Sequence, residues 1–367
     1  MITNFDVTRA AQFTGGVRRL GASKCIANLR LEDVIVLDKY SSIPVTVSNK
    51  LDAPTCYLTC PTVAYIDYAG EEIRHVKVSR ALRIVMGVLL AISKPLLTAT
   101  GFDHQVQPNN WLLATNIWPE LTKSQIIEIT QTLQSSLPGR AIIWRSLNDV
   151  TDHSAMMSLE AAGYNFYPAR QVYLFDCRNG QPKKHRDEKR DTLLRDAAKC
   201  QVLDPSVTPT SDYVRMEALY RNLYLEKYTL LNPQYTATFM EYLHKQQIIN
   251  FIGIRNEGGL LLGIIGFFDQ LDVMTAPIVG YDTSLQQNAG LYRQLMAIAM
   301  QRARARKLLF NMSAGAASFK RNRGAVSAIE YSAVWNRHLP LRQRIAARLV
   351  RKILEIIGIP ILRKYGL

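Results

Sequence analysis

Ile278-Val279-Gly280-Tyr281-Asp282, Gln287-Asn288-Ala289-Gly290, Leu308-Leu309-Phe310-Asn311 and Ser318-Phe319-Lys320-Arg321-Asn322-Arg323-Gly324 are the four stretches on which the fold turns. The first ends an apolar strand, the second opens a helix, the third is a further strand and the fourth a basic loop. A strand–helix–strand unit with a glycine turn at the helix start creates a place for a negatively charged group. The first N–H groups of a helix lack intrahelical partners, and the helix dipole favours negative charge there.

Working outward, the second half repeats one grammar. Helices are predicted from about Ser211 to Tyr228 and from Pro233 to Lys245, followed by a strand from Ile248 to Arg255. Glu257-Gly258-Gly259 then signals a hairpin into Leu260–Phe268. Strand Val273–Tyr281, helix Leu291–Arg306 and strand Leu308–Met312 complete the series. The first half alternates in the same way. Cys56–Tyr68 reads as a strand pair, Val78–Ser93 as a helix stopped by Pro95, and Trp111–Thr115 as a strand. A helix from Thr122 to Leu133 follows, then strand Ala141–Arg145, a helix from Ser154 to Ala162 ending at Gly163, and strand Gln171–Phe175.

Two mixed α/β halves predict an α/β (α+β) fold. Residues 1–178 and 179–336 form its two modules, divided by the turn-rich Arg178-Asn179-Gly180-Gln181-Pro182. The length fits two domains. A charged helix from Lys183 to Lys199 mixes both signs and reads as a solvated face. Residues 337–367 differ in composition, with eight Lys and Arg against one acidic residue, Glu355. Ile345, Leu349, Ile353 and Ile356 share a helical face there, so this basic amphipathic tail can lie on an anionic membrane, dock an acidic carrier protein or pack on its own domain.

The formal charge of +15 favours an anionic partner without choosing among phosphorylated cofactor, acidic protein, nucleic acid and membrane. Five scattered cysteines point to free thiols in a reducing compartment. Neither they nor the six histidines show metal-ligand spacing, so no metal is expected. The N-terminus lacks a basic region followed by an apolar core. The apolar run between Ala81 and Ile92 is shorter than the about 20 residues that span a bilayer. A cytoplasmic protein is expected, with a peripheral membrane contact through the tail as the alternative.

The segment Val279–Asp282, the helix after it, Phe310-Asn311-Met312-Ser313-Ala314-Gly315 and Phe319–Gly324 together resemble the C-terminal module of FemAB-like acyltransferases of the GNAT superfamily. The similarity covers roughly residues 165 to 335. It implies two tandem GNAT-like mixed-sheet modules and transfer of an acyl or aminoacyl group to an amine. The implied donor is acyl-CoA or an acyl-carrier protein. Aminoacyl-tRNA is an alternative donor, and a non-catalytic binding module tethered by its tail is another reading. The acceptor would be a small-molecule amine or a cell-envelope or natural-product precursor. Gln287-Asn288-Ala289-Gly290 matches the first four positions of the GNAT pyrophosphate motif, with Tyr292 where a small residue is usual. Asn311 stands where an acidic residue is usual.

Aminolysis of a thioester needs a neutral amine, a site polarising the carbonyl and a proton for the leaving thiolate. The backbone of a bulged strand at Val279–Tyr281 can polarise the carbonyl, and Tyr281 or Tyr331 can supply the proton, if they are not simply core aromatics. Asp282 either orients or deprotonates the amine, or holds a turn. Lys320, with Arg321 and Arg323, is read as an anion-binding loop. Val279, Gln287, Asn288, Gly290 and Arg323 are the candidate donor-binding residues, and Asn311, Tyr331 and His104 the candidate acceptor-binding ones.

Overall fold

The computed structural model describes residues 4–37, 42–49, 56–75, 79–180, 182–285 and 289–367. Its strands are β1 (Asp33–Leu37), β2 (Ile43–Ser48), β3 (Gln105–Pro108), β4 (Ala141–Leu147), β5 (Asn165–Asp176) and β6 (Lys199–Val202). They continue with β7 (Asn250–Arg255), β8 (Leu261–Gln270), β9 (Val273–Tyr281), β10 (Leu309–Asn311) and β11 (Val326–Trp335). Two compact units result. One comprises the chain up to Ser23, Asn28–Gln171 and Ala328–Leu367; the other comprises Lys24–Ala27 and Val172–Ser327.

In the first unit β2 lies antiparallel to β1 and β3, β3 is parallel to β4, and β4 is antiparallel to β11. Side chains alternate across β4, as strand geometry requires. Ile142 and Trp144 pack with Ile126, Ile129, Leu133 and Leu159 from helices Lys123–Ser136 and His153–Ala162. Ala141 and Ile143 pack on the opposite side with Leu97, Leu339, Ala347 and Val350. The C-terminal residues from Arg337 onward therefore belong to this unit, through Ala347 and Val350 of helix Leu341–Ile353. Thr122 caps its helix through a reciprocal box with Gln125, as the sequence predicts.

Three local readings are corrected here. The residues after Cys60 form a helix, with a π-helical stretch at Val63–Tyr68 running into Ala69–His75. The run of β-branched and aromatic residues there serves tertiary packing of Val63 and Ile66 and carries no strand. Helix Arg80–Ala99 continues through Pro95, capped at its start by Ser79. Trp111–Thr115 is not a strand. Its buried residues sit in an irregular segment tied by Asn side chains, with Asn116 Oδ1 accepting from Trp111 N at 3.0 Å and Asn110 Oδ1 from Leu112 N at 3.1 Å.

In the second unit the order is β5-β10-β9-β8-β7-β6, with β9 and β10 parallel and the other pairs antiparallel. Helix Leu291–Arg306 makes the crossover between the parallel pair. Leu295, Ala299 and Ala303 are fully buried in a core with Phe175, Ile265, Phe267 and Phe310. Helix Thr210–Arg221 crosses β9 so closely that a Cβ on Gly280 would lie 2.6 Å from Tyr220 N. That contact, rather than a turn, explains the glycine.

Candidate functional site

The second unit opens where β9 and β10 part. β10 pairs with β9 only opposite Val273–Thr275, while β9 continues to Tyr281. On its other side β8 follows β9 to that end, with an irregularity between Gly266 and Phe268. Asp282 N then donates to Leu262 O at 2.8 Å. Antiparallel pairing alternates, so with 262 and 282 bonded the N–H groups of Val279 and Tyr281 point away from β8, toward the side on which β10 has ended. The bulge expected at Val279–Tyr281 lies earlier, between Thr275 and Ile278.

Gly290 brings the chain back into helix Leu291–Arg306 at φ 62, a left-handed conformation that glycine adopts freely. Its carbonyl accepts from Gln294 N at 3.0 Å. Gln287 and Asn288 lie outside the described residues. Tyr292 turns its ring into an aromatic group, 6.2 Å from Tyr281 and 4.8 Å from Phe319. Its bulk therefore packs inward. Burial raises the phenol of Tyr281, so it stays protonated at neutral pH.

The charged residues expected at this site are engaged elsewhere. Asp282 accepts from the Ser284 hydroxyl at 2.5 Å and from Arg215 Nη2 at 2.7 Å. The Ser284 hydroxyl, then the Arg215 guanidinium, hold its carboxyl below the usual range. It is a turn-holding carboxylate and a poor base. Lys320 is buried, and its ammonium donates to the carbonyls of Met312 at 2.7 Å, Ser313 at 3.0 Å and Ala314 at 2.8 Å. Arg323 donates to Asp191 Oδ2 at 2.6 Å and to Phe319 O at 2.8 Å. Neither cation is presented to a ligand, which corrects the anion-binding reading of Lys320 and Arg323, while Arg321 of the same loop is exposed. Asn311 is buried and accepts from Ser313 N at 2.9 Å, closing a local turn.

The helix predicted as a solvated face is shorter, Arg186–Asp196, and two of its acids are buried. Glu188 accepts from Arg304 at 2.7 and 2.9 Å, and Asp191 from Arg293 and Arg323 at 2.6 Å each. Their spacing of three residues places both on one helix face, a signal that charge mixing obscured.

His104 and Tyr331 belong to the first unit. His104 is a partly buried loop residue whose imidazole is held neutral, by burial first and then by Arg140. Tyr331 meets Phe166 edge-on at 6.3 Å, and burial raises its phenol.

That unit also contains a polar cluster the sequence reading missed. Arg170 donates to both Glu330 oxygens, at 2.8 and 3.2 Å, and to Ala114 O at 2.6 Å. Arg145 donates to Leu58 O at 2.9 Å and has its pKa lowered, by burial first and then by Arg170. Tyr57 lies 4.8 Å from Tyr68, within the π-helical turn, and burial pushes the Tyr65 phenol up to about 12. Burial also raises the Glu72 carboxyl to about 7, against the opposing effects of Arg170 and the Tyr68 hydroxyl. Such turns recur at functional sites, and a carboxyl near neutrality can gain or lose a proton there.

Glu72 predicts a pH effect. Its folded pKa exceeds the unfolded value, so the folded state holds the proton more tightly. Stability therefore falls as pH rises from about 4.5 to about 7 and is level beyond, by at most about 3 kcal/mol. Glu72→Gln should flatten that slope in urea titrations across this range. An unchanged slope would place the titration on another group.

No family model and no curated protein matches this sequence. Among solved structures, the C-terminal domain of a provisionally assigned lysylphosphatidylglycerol synthetase from Agrobacterium fabrum is similar at a TM-score of 0.54 and 12% identity. The match covers 95% of this chain and 96% of that one. L-PGS from Bacillus licheniformis is similar at 0.45 and 15% identity, over 62% and 78% of the two chains, and FemX at 0.47 and 8%, over 67% and 83%. The likeness to the Agrobacterium domain is one of fold, and this chain shares its mixed α/β fold.

Proposed function

We propose that this chain is an acyltransferase whose second unit holds an activated acyl group where β9 and β10 part. The observation that carries the proposal is the end of the β10 pairing at Thr275, which leaves the N–H groups of Val279 and Tyr281 aimed away from β8 beside a 16-residue helix opened by Gly290. A coenzyme A thioester suits this geometry, because the helix N-terminus and backbone suit its phosphates while Lys320 and Arg323 are committed internally. The amine nitrogen attacks the thioester carbon, the C–N bond forms and the C–S bond breaks. The two N–H groups stabilise the oxyanion. The Tyr281 phenol gives its proton to the departing thiolate and regains one, through water, from the amine nitrogen.

Tyr281→Phe should lower kcat for thiol release from acetyl-CoA about 100-fold, with an unchanged melting temperature. A kcat within about twofold of the parent would remove Tyr281 from the reaction. The +15 charge favours a second reading, in which an aminoacyl-tRNA ester is the donor. Ribonuclease would then abolish activity, and binding would weaken steeply with salt.

A further inference from the structure

The apolar stripe of the C-terminal helix faces outward. Ile345, Leu349 and Ile356 are 46%, 48% and 72% exposed, while the helix packs on its own unit through Ala346, Ala347 and Val350. A helix serving only its own core would turn that stripe inward. Helix Arg80–Ala99 packs against it, burying Met86 and Leu97. It too leaves Ile84, Val85, Val88 and Ile92 exposed, with Ile84 at 59% and Ile92 at 67%. Ile84, Val88 and Ile92 recur every four residues, so they line one face. The sequence reading set this run aside as too short to span a bilayer; the helix is 20 residues, long and apolar enough to do so. Its contact along the C-terminal helix, and the charges of Arg83 and Lys94 within it, fit a helix lying at an interface better than one crossing.

Charge identifies what covers these faces. Arg342, Arg344, Arg348, Lys352, Arg363 and Lys364 accompany the outward stripe, and Glu355 is the only acidic residue from Arg337 to the end. Arg80 and Arg83 accompany the neighbouring helix, which contains no acidic residue and whose Lys94 pairs with Asp67 at 2.7 Å. Exposed isoleucine and leucine flanked by cations match the acyl boundary and headgroups of an anionic bilayer. We infer that helix Arg80–Ala99, together with helix Leu341–Ile353 and its continuation Leu354–Gly358, forms a docking surface for a phospholipid membrane bearing anionic headgroups. The inference is independent of the donor and acceptor of the reaction.

The test is co-sedimentation of the full chain with phosphatidylcholine vesicles containing about one quarter phosphatidylglycerol, and with pure phosphatidylcholine vesicles. Binding should be roughly tenfold stronger to the anionic vesicles. It should fall roughly tenfold in Ile84→Glu/Ile92→Glu and in Leu349→Glu/Ile356→Glu, two variants altering exposed positions on separate helices. Arg344→Glu/Arg348→Glu should remove the preference for anionic vesicles. Unchanged sedimentation of both apolar variants would overturn the inference. So would a concentration-dependent dimer in gel filtration that dissociates in these variants, because the faces would then belong to a second copy of the chain.

Discussion

Asp191→Ala is expected to destabilise the protein by about 3–5 kcal/mol, read as a lower urea midpoint. The Asp191 side chain is 2% exposed and accepts from Arg293 on one oxygen and Arg323 on the other, both at 2.6 Å. Arg323 is itself 5% exposed, so removing the carboxylate leaves a buried guanidinium with only the half-exposed Asp187, 4.0 Å away, as counter-charge. Asp191→Asn, which keeps the shape and loses the charge, should show most of the same loss. Were helix Arg186–Asp196 the solvated face its composition suggests, either substitution would cost no more than about 0.5 kcal/mol. A midpoint shift that small would contradict the buried network.

Lys320→Met is expected to cost about 3 kcal/mol, again through stability. An ammonium has three donors, and all three are directed at the carbonyls of consecutive residues Met312, Ser313 and Ala314. The loop needs that grip: Ser313 at φ 59 and Ala316 at φ 49 both hold left-handed conformations disfavoured for their side chains. Lys320 also lies over the Tyr173 ring at 5.4 Å. Lys320→Arg should fail to restore stability, since a planar fork cannot converge on three carbonyls as an ammonium does. Unchanged stability in Lys320→Met, with weakened binding of an anionic donor, would return the residue to the ligand site.

The central strand–helix–strand unit was legible because its signals agree with one another. β9 and helix Leu291–Arg306 fall on the predicted residues, and the glycine turn expected at the helix start is made by Gly290 in a left-handed conformation. Local agreement failed where tertiary packing overrode composition, as at Val63–Tyr68, where a β-prone run is helical. Pro95, a helix stop by sequence, sits inside a helix instead. At the site, backbone features were readable and charges were not. The sequence shows that Lys320 and Arg323 share a basic loop, but only the fold reveals that three carbonyls and Asp191 already claim them. The cluster around Arg145, Arg170 and Glu72 joins segments far apart in the chain, so no local pattern announces it.

Calorimetric titration of the full chain with acetyl-CoA, a medium-chain acyl-CoA and aminoacylated tRNA, alongside Gly290→Asp, decides whether the second unit holds the donor at the start of helix Leu291–Arg306. Aspartate tolerates the left-handed turn and suits a helix N-terminus, so the variant should fold while setting a carboxylate against a donor's phosphates. The parent should show saturable binding of at least one donor, lost in Gly290→Asp. No binding by any donor, or equal binding by parent and variant, would contradict it.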